Sequence, residues 1–501
     1  MSRRKKAVGI IAGAALMAFL AVGCQGKNAA VSGPADTQVI TMMANLFTTE
    51  VPSDRIEKLL EEKTGTRLEI QWVPDDSYEE KLNAAFATGT LPKATFLKNQ
   101  TSLLLFKDAI RNDQFWEIGP YLKDYPNLQR LDPQVLSNTA VDGKIYAIYK
   151  ETPTARSGII YRKDWADRLG LTAPKTIDDV YNMMKAFKEK DPDQNGLHDT
   201  IGLADRNDLV YGAFKTVASW FGTPNQFAVS GGSIVADFMD PAYMETMKFF
   251  KKLHQEGLMN QDFPVTSKND QQNLLISGKA GMYIGSMGDV VSLQKKMTEV
   301  NPRIELDVQN VIQGGPKGYG IWGVPGFGNA VLFPKSAVKT EAELRSLLSF
   351  FDKLMTPELG LLIYSGLEGE HYTMKDGKVA PVQDVKLTDK EVKPYQSLQI
   401  GGPSTISSLV FYHELPVKQK AEQLTIDNGK YLIHDPTLSL DSKTYIEKGA
   451  RLQEWIKDAT YMFILGRMDE AGFRKEVERW KAEGGNEILK EFTLSYQAAK
   501  K

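Results

Sequence analysis

Residues 158–203 constrain the fold more than any other stretch of this chain. Their pattern predicts a strand over 158–162, a short helix over 165–169 and a longer helix that begins at Thr176. Asp179 follows Thr176 by three residues, which is an acidic variant of the helix capping box. The longer helix presents one apolar face, made of Val180, Met183, Met184 and Phe187. Strand and helices in such short succession are typical of an α/β unit.

An acidic turn follows this helix, which Pro192 prevents from continuing. Oxygen-bearing groups recur there at every second position around a central glycine, as in an EF-hand, which binds calcium through positions 1, 3, 5, 7, 9 and 12. The candidate ligands are Asp191, Asp193, Asn195, the carbonyl of Leu197, and Asp199. Position 12 is Gly202, where an EF-hand carries a glutamate, so this is not an ordinary EF-hand. Two interpretations remain open: a site for a hard cation, and a solvated loop.

The N-terminus differs in kind from the rest of the chain. Residues 2–6 are basic, and 7–23 form an unbroken apolar run that ends at Cys24. This run is at the short limit for crossing about 30 Å of hydrocarbon, so residues 1–23 are interpreted as a signal peptide and not as a membrane-spanning helix. Cys24 is the only cysteine, so it cannot form an intramolecular disulfide. Residues 24–37 are small and polar, which predicts a flexible tether.

The folded part is expected to begin near Gln38. A strand at 39–43, a loop at 45–53, a helix opened by Asp54 and a strand through Trp72 follow in short succession. This order indicates a parallel α/β sheet. A chain of 501 residues is also long enough for two or more lobes, each with its own core.

The sequence carries no strong signature of catalysis. Gly318 to Gly323 formally matches the dinucleotide pattern G-x-G-x-x-G but opens no helix. The five histidines form no H-E-x-x-H pair, which excludes a helical zinc site of that type. With 63 acidic residues, carboxylate pairs for a glycosidase are always available and carry no information. Glu368 and Glu370 are interpreted as loop carboxylates or as hydrogen-bond partners of a ligand, not as catalytic groups. A net charge of -2 gives no indication of nucleic-acid binding.

A binding cleft is expected to combine aromatic rings with polar neighbours. Trp220 and Trp322 are predicted to lie in Gly/Pro-rich loops, where function often resides, and each is a candidate to face a ligand. Asn45 follows the first strand, at the end where α/β sheets bind ligands. Arg156 lies where the chain is expected to cross between lobes, and could meet sugar hydroxyls or a uronate carboxylate. The other tryptophans considered are assigned to the core: Trp72, Trp165, Trp455 and Trp480.

Several of these stretches together resemble a known family. The segments YRKDW, LGL, AFKEKDPDQNG and DTIGL within 158–203 resemble the bacterial family 1 sugar-binding lipoproteins, which deliver oligosaccharides to ABC importers. The later segments SGKAGMYIGS and FILGR have counterparts in the same family. Residues 21–24 resemble a lipobox, although Ala21 stands where leucine is usual. The resemblance therefore extends from the N-terminus to the C-terminus.

The resemblance implies an α/β fold, two-lobed and periplasmic-binding-protein-like, with an interlobe cleft and hinge crossovers. The first lobe would hold residues 38–155 plus about 328–385, and the second 156–327 plus about 386–501. Ser286 would lie on a cleft-lining turn. The acidic loop would hold a structural calcium ion, with Thr200 standing where the family often has a further acidic ligand.

The same resemblance implies a non-catalytic, monomeric protein whose Cys24 carries a lipid on the outer face of the cytoplasmic membrane. Its partners would be an oligosaccharide and the transmembrane subunits of an ABC permease. The proposed mechanism is hinge closure around the bound sugar. Two alternatives remain open at this point: a lipoprotein that binds peptide or another solute, and a secreted carbohydrate-active enzyme.

Overall fold

The computed structural model describes residues 38–48, 50–98, 100–316, 318–382 and 385–499. The predicted signal peptide, the tether and Cys24 therefore lie outside the described residues. Residues Val39–Lys501 form one compact unit. Within this unit, two lobes are built around separate sheets and separate hydrophobic cores. The expected two-lobed α/β architecture is confirmed.

The first lobe contains a five-stranded sheet. Its strands are β1 (Val39–Leu46), β2 (Arg67–Pro74), β3 (Ala94–Leu97), β4 (Ile148–Glu151) and β12 (Phe327–Leu332), numbered here in chain order. The sheet order is β2-β1-β3-β12-β4; β1 pairs in parallel with β2 and β3, whereas β12 runs antiparallel between β3 and β4. Parallel neighbours need a crossover, which helices provide between β1, β2 and β3.

The helices of the first lobe are α1 (Arg55–Thr64), α2 (Tyr78–Ala87), α3 (Gln100–Arg111), α4 (Pro133–Asn138), α11 (Glu341–Leu354), α12 (Pro357–Ser365) and α13 (Val385–Glu391). A hairpin of β13 (Tyr372–Lys375) and β14 (Lys378–Pro381) follows α12. Helix α1 ends at Gly65, which adopts the left-handed conformation that favours glycine at a helix terminus.

The second lobe contains a four-stranded sheet of order β10-β5-β9-β6. Its strands are β5 (Ser157–Arg162), β6 (Ile201–Ala204), β9 (Ala280–Ser286) and β10 (Leu306–Gln309). Apolar side chains cover both faces of this sheet. A second hairpin is formed by β7 (Phe227–Ser230) and β8 (Ser233–Ala236), and a two-stranded parallel sheet by β11 (Ile321–Trp322) and β15 (Leu432–Ile433).

The helices of the second lobe are α5 (Lys163–Arg168), α6 (Ile177–Glu189), α7 (Ala213–Phe221), α8 (Pro241–Gln255), α9 (Lys268–Ile276), α10 (Val290–Val300), α14 (Pro416–Asn428), α15 (Lys443–Ile464), α16 (Glu470–Trp480) and α17 (Asn486–Ala499). The helix predicted to begin at Thr176 is confirmed as α6, with both hydrogen bonds of the capping box formed by Thr176 and Asp179. None of the helices in the described part of the chain is long and apolar enough to cross a membrane.

Close packing holds α6 against the second sheet. A Cβ on Gly281 of β9 would overlap the Phe187 ring, and one on Gly202 would overlap Met184. Both positions therefore require glycine, because the helix backbone and side chains approach the strands too closely for any side chain.

The first lobe extends further along the chain than expected. Its core includes Val392, Tyr395, Leu398, Ile400, Ile406 and Leu409, whereas the expected boundary lay near residue 385. The Tyr395 hydroxyl donates to the Ser53 carbonyl at 2.7 Å, and its ring packs edge-on against Trp72. Residues 392–409 therefore belong to the first lobe, and the chain returns to the second lobe before Val417.

Three crossovers join the lobes, at residues 152–156, 323–326 and 410–416. The first two run side by side, because Thr152 donates to the Gly326 carbonyl and Val324 to the Thr154 carbonyl. Buried Asn428 fixes the first crossover by donating to the carbonyls of Ala155 and Ser157, at 3.2 and 3.0 Å. Such paired, hydrogen-bonded strands between lobes are the usual elements of a hinge.

Candidate functional site

The strand ends of the first sheet bring a polar group to the edge that faces the crossovers. The Asn45 side-chain amide donates to the Asp75 carboxylate at 2.7 Å, and the Lys98 ammonium lies 2.7 Å from the same oxygen. These hydrogen bonds, first from Lys98 and then from Asn45, lower the pKa of Asp75. The Asn45 Oδ1 atom is buried and has no hydrogen-bond partner among the described residues. Asn45, expected just after the first strand, is the second-last residue of β1, whereas Asp75 and Lys98 directly follow β2 and β3. All three lie at the edge where α/β sheets bind ligands.

The corresponding edge of the second sheet brings together two predicted site residues. Ser157 pairs with Ser286, so the start of β5 and the end of β9 are adjacent. Arg156 precedes Ser157, and its carbonyl accepts a hydrogen bond from Met287 at 2.9 Å. The Arg156 side chain is exposed and forms no ion pair within the described ranges. Asn45, on the other lobe, is not part of this group.

The two predicted tryptophans lie elsewhere than expected. Trp220 is in helix α7 and not in a loop, and it is completely buried in the second core, so it cannot face a ligand. Trp322 forms half of the short strand β11 and is only 6% exposed. Its indole nitrogen donates to Thr216 at 3.1 Å. The apolar sequence around Trp220 continues the helix to Gly222, which is why the loop prediction was wrong.

Trp322 nevertheless lies beside a group of charged and aromatic side chains in the second lobe. The Lys215 ammonium lies 4.9 Å from the centre of its indole ring, a cation–π distance. The Tyr211 ring packs against the same indole at 5.7 Å between centroids, and Tyr211 is 48% exposed. Asp237, after β8, and Asp435, after β15, are close enough to act electrostatically on Lys215. We call this group, Tyr211, Lys215, Asp237, Trp322 and Asp435, the Lys215 well.

The charges of the Lys215 well are strongly desolvated. Burial raises the pKa of Asp237 to about 7, with Lys215 opposing the shift. Burial also raises the pKa of Asp435 and lowers that of Lys215. All three side chains keep some solvent exposure although protein atoms surround them closely, as expected for groups that line a narrow recess. Perturbed charges in such a recess are typical of binding sites.

Neighbouring amides hold the walls of the well in place. The Tyr445 hydroxyl accepts hydrogen bonds from the side chains of Gln226 and Gln453, at 2.5 and 2.7 Å. Gln226 has a φ angle of 65°, a conformation unfavourable for a residue other than glycine and often found at functional sites. The adjacent Asn225 donates to the carbonyls of Gly323 and Ile433, at 2.7 and 3.0 Å. The well is therefore tied to the hinge strands β11 and β15.

Sequence reasoning missed Tyr211, Lys215, Asp237 and Asp435. One signal was available: Lys215 is the only charged residue in the otherwise apolar helix α7, AFKTVASWF. A charge in a buried helix needs a partner or a function. No comparable local signal marks Asp237 or Asp435, because their neighbourhood is assembled from segments far apart in the chain.

A set of ion pairs joins the two lobes near this site. Lys107 of α3, 6% exposed, donates to the Asp441 carboxylate at 3.0 Å and to the carbonyls of Ser439 and Leu440. Arg111, one turn further along α3, binds both Asp441 and Asp142. We call this contact the Lys107–Asp441 clasp. Asp441 and Asp435 belong to the same segment between β15 and α15, so the clasp holds the segment that contributes to the well.

The acidic loop has part of the chemistry of a cation site. The Asn195 side-chain amide donates to Asp193 and Asp199, at 3.0 and 3.2 Å, and Asp193 Oδ1 is buried without a hydrogen-bond partner in the described part of the chain. However, Asp199 also binds the Lys279 ammonium. Nowhere in the described ranges do three or more His, Cys, Asp or Glu side chains form a group that could hold a metal ion.

Thr200 does not take the ligand position expected for it. Its hydroxyl donates to the Phe187 carbonyl at 2.7 Å, and the residue is 2% exposed. This side chain therefore closes the end of α6 instead of pointing into the loop. The Leu197 side chain is exposed, and its backbone amide donates to Asn195 Oδ1.

Two cavities accompany these features. One, of about 560 Å³, is lined by Phe227, Tyr319, Tyr431, Ile433 and His434 among others. Its lining includes both sequence neighbours of Asp435 but none of the five residues of the well. The other, of about 820 Å³, lies between α10 and the β13–β14 hairpin. It meets the second sheet at Leu306, which pairs with Arg162 at the end opposite Ser286. We therefore place the candidate site at the Ser286 end, where the desolvated charges lie.

The fold and the polar recess beside its hinge define a class, that of two-lobed proteins that bind a solute between their lobes. The family model described as bacterial extracellular solute-binding protein matches residues 49–350. The chain belongs to this family.

Individual relatives agree with this membership. The chain is 40% identical to the polygalacturonan/rhamnogalacturonan-binding protein YtcQ of Bacillus subtilis, over 95% of this chain and 96% of that protein. It is 35% identical to lipoprotein LipO of Bacillus subtilis, over 97% of each chain. In fold it is similar to a crystal structure of an extracellular solute-binding protein from Bifidobacterium longum subsp. infantis, with a TM-score of 0.71 and 17% identity over 93% of this chain and 99% of that one.

Proposed function

We propose that this protein captures an oligosaccharide between its lobes and delivers it to the transmembrane subunits of an ABC importer. The Lys215 well is the observation that supports this most strongly. It places an ammonium beside Trp322, whose indole packs against the exposed ring of Tyr211, and two carboxylates close enough to act electrostatically on that ammonium. Sugars need this combination, because their C–H faces pack on aromatic rings while their hydroxyls require charged or polar partners.

Binding would work through the hinge. The ligand would contact the strand ends of both lobes, and its tighter binding to the closed form would shift the equilibrium toward closure. The permease would then recognise the closed form. The ligand is expected to leave intact, since the proposed role is capture and delivery without chemistry.

The location follows from the N-terminal sequence. We expect cleavage before Cys24 and lipid attachment to its thiol, with residues 24–37 as the tether. A doubly acylated residue would anchor the monomeric protein stably, where one chain would be marginal. The protein would then stand on the outer face of the cytoplasmic membrane.

Calcium is proposed as a structural ion in the acidic loop. The donor chemistry fits a hard cation: carboxylates of Asp191, Asp193 and Asp199, the Asn195 side chain and the Leu197 carbonyl. The unpartnered Asp193 Oδ1 supports this, and the Asn195 amide, which now donates to two carboxylates, could present its oxygen instead after a rotation of the side chain. When bound, the ion would neutralise the loop and stabilise the end of α6.

Sugar binding can be tested on the Val39–Lys501 unit. Thermal unfolding would be followed with pectic and neutral plant oligosaccharides, chosen because a relative is named for polygalacturonan and rhamnogalacturonan. A ligand at a hundred times its Kd should add about 2.7 kcal/mol of stability. Product analysis of the same samples separates binding from hydrolysis. The proposal would be contradicted if peptides stabilised the protein and no sugar did.

Calcium binding can be tested in the same way. Calcium should raise the Tm of the chelator-treated protein, and the Asp193→Asn variant should lose most of that increase. Asp458→Asn, an exposed change on α15, serves as the matched control. An unchanged Tm on adding calcium to the wild type would contradict the calcium proposal.

A further inference from the structure

The Lys215 well contains charges that the protein leaves available. The Lys215 ammonium has no hydrogen-bond acceptor among the described residues, although it lies against the Trp322 ring. The Asp237 carboxylate accepts hydrogen bonds from the backbone amides of Phe238, at 2.8 Å, and Gln226. Asp435 accepts through Oδ1 alone, from the amide and hydroxyl of Thr437. The ammonium and the second oxygen of Asp435 are therefore free to bind a ligand, and Asp237 keeps some solvent exposure through which its carboxylate can accept further hydrogen bonds.

We propose that this well receives one neutral sugar unit of the bound oligosaccharide through its hydroxyls, and excludes a uronate carboxylate at that unit. The inference rests on the proposed function of sugar capture and concerns which unit occupies which position. It assigns the specificity to Lys215, Asp237 and Asp435.

Hydroxyl groups complement these charges. A sugar hydroxyl can donate its hydrogen to a carboxylate and accept one from an ammonium at the same time. Two neighbouring hydroxyls can thus bridge Lys215 to Asp237 or Asp435 and satisfy all of them together. Hydrogen bonds that involve a charged partner are the stronger ones, so this arrangement favours a unit rich in hydroxyls.

A carboxylate lacks this complementarity. It can only accept hydrogen bonds, and Lys215 is the single cation among two acids. Above about pH 7, where Asp237 as well as Asp435 is ionised, the well carries one net negative charge, so a uronate would bring a third carboxylate into poorly solvated surroundings. Such like-charge contact disfavours the wrong ligand more effectively than it would in water.

Uronate units have a better place nearby. The exposed Arg156 guanidinium lies at the strand edge beside Ser286 and forms no ion pair within the described ranges. A bidentate guanidinium matches carboxylate geometry. Rhamnogalacturonan contains both neutral rhamnose and galacturonate, so a mixed chain could place a neutral unit in the well and a uronate toward Arg156.

The test compares three oligosaccharides of equal length by isothermal titration calorimetry on the Val39–Lys501 unit. They are an oligogalacturonide, the same oligomer after chemical reduction of its carboxyl groups, and a rhamnogalacturonan fragment. We expect the wild type to bind at least one ligand that contains neutral units ten-fold or more tightly than the all-uronate oligomer. In the double variant Asp237→Asn, Asp435→Asn this preference should fall below three-fold.

Lys215→Met provides a second, independent measurement. It should weaken binding of the ligands with neutral units at least ten-fold. A selective loss of the all-uronate oligomer in this variant would overturn the inference, because Lys215 would then bind a carboxylate. Equal or tighter binding of the all-uronate oligomer to the wild type would also overturn it, as would a preference that survives in the double variant.

The controls separate the inference from the function on which it rests. Asp458→Asn repeats the chemical change on an exposed surface and should leave all three affinities unchanged. Melting temperatures identify any variant that fails to fold. If the double variant fails to fold, the affinities of the wild type and of Lys215→Met decide whether the inference holds. If none of the three oligosaccharides, nor any other sugar, binds the wild type, the proposed function is overturned and the inference with it. If they bind without the expected preference, only the inference is overturned.

Discussion

At the scale of single residues, Asp237 is the group whose environment departs most clearly from that of a surface carboxylate. Burial raises its pKa from an ordinary 3.8 to about 7, and the nearby Lys215 offsets only part of this. A carboxylate kept in such surroundings reduces the stability of the folded state at neutral pH. A binding protein tolerates that cost where the group is needed for its ligand.

A pH-dependent stability follows for Asp237. Between about pH 4 and 7 the folded state binds more protons than the unfolded state, so its contribution to stability is present at low pH and is lost as the pH rises through that interval. Asp237→Asn should therefore stabilise the protein more at pH 8 than at pH 5, by roughly 2–4 kcal/mol. Urea unfolding of both proteins at the two pH values measures this. An effect of equal size at pH 5 and pH 8 would contradict the pKa shift.

The residue scale is also where sequence reasoning was weakest. Arg156 and Ser286 were predicted as cleft residues, and the structure brings them to one strand edge. Trp220 was assigned to a loop because of the Gly/Pro residues that follow it, but helix α7 continues through Phe221 and ends only at Gly222. Asp237 and Asp435 are separated by almost two hundred residues, and only tertiary structure reveals that both act on Lys215.

At the scale of elements, a capping box that is evident in the local sequence begins α6, the helix that leads into the acidic loop. Thr176 and Asp179 form both hydrogen bonds of a capping box, as do Thr340 and Glu343 at the start of α11 in the other lobe. Thr176→Ala should cost about 1 kcal/mol of stability, because the Asp179 amide loses its acceptor. Thr340→Ala is the matched variant and should cost a similar amount. Chemical denaturation measures both, and no loss in either would contradict the capping argument.

The contact between α6 and β9 gives a second prediction at this scale. Gly281→Ala should destabilise the protein by about 2–3 kcal/mol, because the added methyl group overlaps the Phe187 ring. Gly429→Ala is the control: nothing lies within 4 Å of its Cβ position and its φ angle is -55°. It should be neutral or slightly stabilising. Comparable unfolding free energies for the two variants would contradict the packing described here.

Elements with strong local signals were predictable. Helix α6 matched its amphipathic pattern closely, since Thr176 and Asp179 marked its start and Pro192 prevented its continuation. Strand β12 had no such signal for its position in the first sheet. Its antiparallel insertion between β3 and β4 depends on packing partners from distant parts of the chain.

At the scale of the whole molecule, the Lys107–Asp441 clasp joins lobes that the hinge would otherwise allow to separate. Lys107 is nearly buried, so its ion pair is screened little by salt. Because the clasp holds the two lobes together, breaking its ion pair should raise the fraction of molecules in which the lobes are open. The fraction of binding-competent protein would fall accordingly.

Asp441→Asn is the direct test of this contact. The variant should show a larger radius of gyration by small-angle X-ray scattering without ligand, and roughly tenfold weaker ligand binding, equivalent to about 1.4 kcal/mol. Lys443→Met, a change at a largely exposed residue two positions away, is the control. Identical scattering curves for Asp441→Asn and the wild type would show that the clasp does not influence the opening of the lobes.

The three crossovers also bear on the order in which the protein can fold. Strand β12 completes the first sheet only after the chain has passed through most of the second lobe, and residues 392–409 complete its core later still. The second core in turn requires helices near the C-terminus, including α16 and α17. Neither lobe can be finished while the chain is still emerging. A polypeptide of this design can complete neither core until nearly its full length is available, a property compatible with threading through a membrane channel before folding on the far side.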